Sequence, residues 1–354
     1  MSIAIKNHFF NLTNKSEINF FSRATVGIFC FLKVINQRDK FLVFPSTICP
    51  SPIYAAIFAN VKTIFCDVNL SDGNINISSV NQLFKKNRNK ILGVFAPNMY
   101  GNPCGAEKLK EITNRYSSVF IEDCAQSQGT IAKKKYTGSY GDISIFSFGY
   151  SKNVDIGQGG LILSDDKNLR DEMQKVYKKL NNNWQNNKLL NIEYKKNYFK
   201  YFSQNKKKGF LKFINLKRYK NLFLQKRSDR WLEKLENKIK KINNLKSLNM
   251  KKFNLYKKTL GKKFKFMNIE TNSFPWRFNI FYDEKKRDKK LEIFWKMGGN
   301  ANKLYPCIPK FLFGKKSNFS NSVKIEKEIV NFPLHESLNI SEIEKNCNLA
   351  LKIF

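Results

Sequence analysis

The chain of 354 residues has only two histidines, His8 and His335. Its seven cysteines (Cys30, Cys49, Cys66, Cys104, Cys124, Cys307, Cys347) include no C-x-x-C pair. With that donor set neither a structural zinc centre nor any other metal is expected. An odd number of scattered cysteines, with no basic leader followed by a cleavable apolar core, reads as reduced thiols in a cytoplasmic protein. Long apolar runs are also missing. The longest uncharged stretch, Phe41–Val61, contains Pro45, Pro50 and Pro52, which break a continuous helix and favour strand, turn and buried helix over a membrane span. Acids are scarce, 28 against 64 lysines and arginines, for a formal charge of +36. Such an excess attracts nucleic acid, acidic membranes or phosphorylated substrates. Here, however, the lysines are spread among asparagines, as in "KKNRNK", "SQNKKKG" and "KKINNLK", the pattern of solvated faces; no specific nucleic-acid partner is expected. No internal repeat is visible.

The hydrophobic share, 42%, and the length suffice for one large domain and a smaller one. From Phe41 to Leu163 short apolar runs ("FLVF", "TIFCDV", "ILGVFA", "SVFIED", "ISIFSF", "GLIL") alternate with helix-like segments ("SPIYAAIFAN", "SSVNQLFKKN", "AEKLKEITNRYS"). This predicts an α/β fold with a mostly parallel central sheet covered by helices. "SEINFFSRATVGIFCFLKVI" reads as a loop entering a buried helix that starts near Arg23–Thr25. Residues 167–265 have no proline and few glycines and read mostly as helices; one has an expected N-cap at Ser228 and apolar positions Trp231, Leu235, Ile239 and Ile242. Beyond Phe266, "FPWRFNIFYD" reads as a strand, and "KKRDKKLEIFWKMGG" and "SEIEKNCNLALKIF" as helices. The expected division is a large domain over 1–240, with 165–240 its divergent Lys/Asn-rich part, and a small α+β domain over 241–354.

The densest chemistry lies between Val119 and Leu163, "VFIEDCAQSQGTIAKKKYTGSYGDISIFSFGYSKNVDIGQGGLIL". Glu122 and Asp123 close one apolar segment; a second delivers Ser147 and then Lys152 into a turn containing Gly157, Gly159 and Gly160. An acid ending one strand and an amine just beyond another suit pyridoxal 5′-phosphate. The amine condenses with the cofactor aldehyde, and the acid keeps the ring nitrogen protonated. Taken singly, a lysine in so basic a chain would be a solvated one, and either acid could cap a loop.

"EDCAQSQG" followed by "FSFGYSKN…GQGG" resembles the DegT/DnrJ/EryC1/StrS family, the sugar aminotransferases of pyridoxal phosphate fold type I. The likeness extends through "FPSTICPSPIYAAIFANVKTIFCDVNLSDGNINI", "FAPNMYGNPCG" and "IVNFPLHESLNISEIEKN". It implies that Lys152 carries the cofactor and that Asp123, not Glu122, meets the ring nitrogen. Gln126 would lie beside the ring's 3′ oxygen, with Ser147 and the N–H groups of Ala24 and Thr25 at the phosphate. Lysine at this position implies transamination, since a branch with histidine there dehydrates its substrate. The implied substrate is a nucleotide-linked keto-deoxysugar, with glutamate as amino donor and a homodimer as the working unit. Charges for the sugar's pyrophosphate, expected at the mouth of the site, are Arg23, Lys226, Arg227, Arg230, Arg277 and Lys303. Three positions depart from the family pattern. Cys49 stands where many members stack an aromatic ring on the cofactor, and Gln158 replaces the usual Glu. The G-x-N-x-R segment that reaches a partner's site is missing, with Lys226–Asp229 its nearest remnant. Two alternatives follow: sugar dehydration on the same fold, or a non-catalytic relative that binds nucleic acid or an anionic glycan.

Overall fold

The computed structural model describes residues 3–37, 39–181, 187–203, 209–226, 231–314 and 318–354. Its strands, in chain order, are β1 (Glu17–Phe21), β2 (Phe41–Pro45), β3 (Lys62–Cys66), β4 (Ile91–Pro97), β5 (Val119–Asp123), β6 (Ile131–Ala132), β7 (Lys135–Tyr136), β8 (Ile143–Ser147), β9 (Gly160–Ser164), β10 (Arg277–Phe281) and β11 (Ile329–Pro333). Seven of them form one sheet in the order β1-β9-β8-β5-β4-β2-β3. The β2–β3, β2–β4, β4–β5 and β5–β8 pairs are parallel, and β9 runs antiparallel to both β8 and β1.

Period-two alternation sends neighbouring residues to opposite faces, and each face finds helices to cover it. Phe44, Phe95, Ile121 and Ile145 join a core with the helices Ala24–Ile35 and Pro50–Ala59. Their neighbours Val43, Val94 and Phe120 join another, with Val80 and Phe84 of the helix Ile77–Asn87 and Leu109 and Ile112 of the helix Ala106–Arg115. Burial on both faces explains why β4 is apolar along its whole length. The uncharged stretch 41–61 is thus strand, turn and a ten-residue helix. No helix among the described residues is long and apolar enough to cross a membrane, and none of their His, Cys, Asp and Glu side chains cluster as a metal site.

Residues 17–21 correct the sequence reading: they form β1, not a loop, and pair antiparallel with β9 from Glu17↔Ser164 to Phe21↔Gly160. The run is too short and too apolar to show alternation, but without it β9 would be an unpaired edge. The helix Ile3–Thr13 and the β6–β7 hairpin were not anticipated either. Helices do dominate residues 167–265, ending in Trp231–Ile239 and Ile242–Leu260; Ser228 lies outside the described residues. Phe253, Tyr256 and Leu260 of that last helix pack with β10, β11 and the helices Arg287–Lys296 and Ile340–Ile353 in a core of their own.

Candidate active site

The two acids ending β5 face opposite ways and live in different surroundings. Glu122 is fully buried. Its carboxylate accepts N–H bonds from Gly138 (2.8 Å), Tyr140 (3.2 Å) and Gly141 (3.1 Å), and a longer one from the Asn98 amide (3.3 Å). Burial pushes its pKa up, opposed by those four donors. With its lone pairs taken by the β7–β8 turn, Glu122 is a structural anchor. Asp123 spends one oxygen on the Ala125 N–H (2.9 Å); the other accepts no hydrogen bond from a described residue. Burial raises its pKa as well, opposed by the charge of Lys152.

Lys152 sits in the loop from β8 to β9. The residue is half-buried but its amine is deep. Burial lowers the pKa of that amine, with Arg277 adding to the effect, while Cys49 and Asp123 favour its cation. Asp155 holds the loop in shape by accepting N–H bonds from Ser151 (2.6 Å) and Gly157 (2.7 Å). Ser151 and Gly157 both have positive φ, 63° and 78°, which the glycine takes without strain. Asn153 ties the same loop to the carbonyls of Gln126 and Phe274.

Ser147, the last residue of β8, pairs across the sheet with Gly160. A Cβ on Gly160 would overlap the backbone of Ala24 and Arg23 at the start of the helix Ala24–Ile35. Only glycine permits that approach, which sets Ser147 beside a helix start with no side-chain cap. Gln126 is buried; its oxygen accepts the Tyr100 N–H (2.9 Å) and its amide donates to Tyr305 (3.4 Å). Cys49 ends the turn after β2 as N-cap of the helix Pro50–Ala59.

Lys152, Asp123, Cys49 and Arg277 therefore converge, with Gln126 alongside and Ser147 and Ala24 together at the sheet's end. Arg277 departs from the expectation of a charge at the mouth: opening β10, it is only 4% exposed. Lys303 pairs with Asp288 (3.0 Å) and Lys226 donates to the Lys178 carbonyl (2.8 Å), so neither bonds a residue of this cluster. Arg23 is half-buried at the helix start. Arg227 and Arg230 lie outside the described residues.

Sequence reasoning missed the aromatic wall of the site. Trp276 lies between Tyr100 and Tyr305, its ring nearly parallel to both (16° at 6.3 Å, 7° at 6.2 Å). Its indole N–H donates to the Ser151 carbonyl (2.6 Å), and Lys152 Nζ lies 5.3 Å from its ring centroid. The available signal was a tryptophan and an arginine side by side at the start of the strand-like segment "FPWRFNIFYD". Asp155 had one too, as an acid two residues before Gly157.

The model of the DegT/DnrJ/EryC1/StrS aminotransferase family matches residues 7–197, more than half of the chain. GDP-perosamine synthase of Escherichia coli O157:H7 is 34% identical over 137 residues, 39% of this chain and 36% of that protein. UDP-4-amino-4,6-dideoxy-N-acetyl-beta-L-altrosamine transaminase of Campylobacter jejuni is 24% identical over 151 residues, 43% and 40% of the two chains. The matched segment thus spans well under half the length of these curated relatives. Among solved structures, Helicobacter pylori PseC, an aminotransferase involved in the biosynthesis of pseudoaminic acid, superposes with a TM-score of 0.79 over 100% of this chain and 91% of its own, at 16% identity. That likeness is one of fold.

Proposed function

Because the chain belongs to the DegT/DnrJ/EryC1/StrS aminotransferase family, we propose that it is a pyridoxal phosphate-dependent aminotransferase acting on a nucleotide-linked keto-deoxysugar. The observation that carries this reading is the deep Lys152 amine within electrostatic reach of the buried, half-satisfied carboxylate of Asp123. The residues fit the cofactor. Asp123 has an oxygen to spare for a ring N–H, and a cation there would bring down the carboxyl pKa that burial raises. Ser147 and the uncapped helix start at Ala24 and Thr25 suit a phosphate. Gln126 would stand alongside, and Cys49 would take the place of a stacking ring. Pyridoxal phosphate, when bound, supplies an electron sink that stabilises negative charge on the carbon beside the reacting nitrogen.

The chain's own contributions follow from its geometry. Lys152 Nζ would hold the cofactor and would then move a proton at the donor's α-carbon; the burial that lowers its pKa favours the free base that this task requires. Trp276 and Tyr305 wall the site against water. The relatives named above act on sugars carried by GDP or UDP, which supports a sugar substrate here, and glutamate is the expected donor. A second copy is expected to complete the site. Tyr150, two residues from Lys152, is 85% exposed, and Leu189 on the helix Asn187–Ser203 is 76% exposed, both apolar surface that a partner would cover.

The test follows the two half reactions separately in the cofactor-loaded protein. L-Glutamate should release 2-oxoglutarate, and a panel of GDP- and UDP-linked 4-ketosugars should then yield an aminosugar. Loss of a hydroxyl without gain of nitrogen would mean dehydration. Inertness to every donor and ketosugar, with tight salt-sensitive nucleic-acid binding, would replace the enzyme with a binding protein.

A further inference from the structure

Arg277 is a buried charge whose surroundings among the described residues do not account for it. It is 4% exposed, and its Nε and Nη1 are buried with no hydrogen-bond partner. The groups that favour its cation are three phenols, Tyr305, Tyr256 and Tyr150, and no carboxylate is among them. Its guanidinium rests 4.4 Å from the centroid of the Trp276 ring. Cation–π contact offsets part of the desolvation but satisfies no N–H. Removing such a group from water without an acceptor costs several kcal/mol. The arrangement is that of a receptor whose anion arrives from outside.

Position decides which anion. Lys152 Nζ lies against the same indole, 5.3 Å from its centroid, so Arg277 is at the reacting end of the site. The diphosphate of a nucleotide sugar is separated from the keto carbon by much of the sugar ring and belongs nearer the mouth. An amino acid carries its carboxylate on the very carbon that bears the amine. Resting on the aminotransferase reading, we infer that Arg277 is the receptor for the α-carboxylate of the amino donor and restricts that donor to α-amino acids. The planar fork of arginine matches a carboxylate in a way that lysine cannot.

The test uses the cofactor-loaded protein and two ligands, titrated calorimetrically. α-Methyl-L-glutamate keeps the carboxylate but has no α-hydrogen, so it binds without transamination; 4-aminobutanoate has the amine and no α-carboxylate. Arg277→Met should weaken α-methyl-L-glutamate on the order of 100-fold and leave 4-aminobutanoate unchanged, with Arg277→Lys in between. The melting temperature of the cofactor-free protein provides a second readout. An unsatisfied buried cation is a burden in the free fold, so Arg277→Met should match or exceed the wild type. A lower melting temperature with unchanged amino-acid affinity would make Arg277 structural and overturn the inference. So would unchanged amino-acid affinity with weakened binding of a GDP- or UDP-sugar. Wild-type protein that binds cofactor yet no amino acid at all would instead count against the aminotransferase reading.

Discussion

The sheet that carries the site and the aromatic block beside it hold their shape by different means. At the sheet, positions are fixed by contacts that allow one residue type. Gly160 lies against the Ala24 backbone, and Gly93 in β4 has no room for a Cβ beside the Val119 carbonyl. Glu122 is bonded by four donors. The block built from residues 190–223 is held by rings against rings. Tyr194, Tyr198, Tyr201, Phe210, Phe223 and Phe311 meet at centroid distances of 5.2–6.0 Å, and polar bonds such as the Tyr54–Tyr194 hydroxyl pair and the Tyr219 hydroxyl donating to Glu193 tie the rim of the rings. Backbone contact and polar satisfaction leave one solution, whereas apolar packing accepts any filling of about the right volume. The sequence can therefore drift in the block while the motif at the sheet stays readable.

Substitutions can break that contrast. Gly160→Ala drives a methyl into backbone and should cost about 3 kcal/mol, seen as a lower denaturation midpoint at unchanged slope. Phe210→Leu in the block should cost only about 1 kcal/mol. Equal effects would erase the distinction. Glu122→Gln replaces one acceptor oxygen by a donor facing other donors and should cost roughly 2 kcal/mol, while Asp123→Asn should leave the stability of the cofactor-free protein nearly unchanged. A reversed ranking would mean that the roles of the two acids have been exchanged.

The smallest expected effect has the opposite sign. In the cofactor-free protein the Lys152 amine is disfavoured as a cation, so its folded pKa lies below the unfolded value of 10.5. Below the folded pKa both states bind the proton and the penalty is complete. As pH rises from there toward 10.5 the unfolded state holds more protons, so the fold gains stability. Lys152→Met should remove that slope and leave the variant more stable at neutral pH by about 1 kcal/mol, an advantage that fades toward pH 10.5. Thermal melts of the two proteins across that range measure it; a variant less stable at pH 7 would show that the amine is paired in the free fold.

Much of this was legible in the sequence, for identifiable reasons. Parallel strands buried on both faces show as apolar runs, and the helices between them carry their periodicity openly. Lys152 and Asp123 could be singled out because Asp123 ends one strand and Lys152 follows another inside a glycine-marked segment. Strand β1 stayed hidden because its partner is 139 or more residues away in sequence, at Gly160–Ser164, and five residues are too few to show a period. Arg277 could be named but not placed: its role depends on β10 meeting the β8–β9 loop, a contact made through Trp276 and Ser151. Tyr100 and Tyr305 carry no local signal at all, since their place beside Trp276 is set by the packing of distant segments.

Lys152 is the residue proposed to hold pyridoxal phosphate. Purified protein loaded with the cofactor should be reduced with borohydride, digested, and its peptides weighed. A pyridoxyl group on the peptide bearing Lys152, abolished in Lys152→Met, is the predicted result. The label on another of the chain's lysines, or on none, would contradict it.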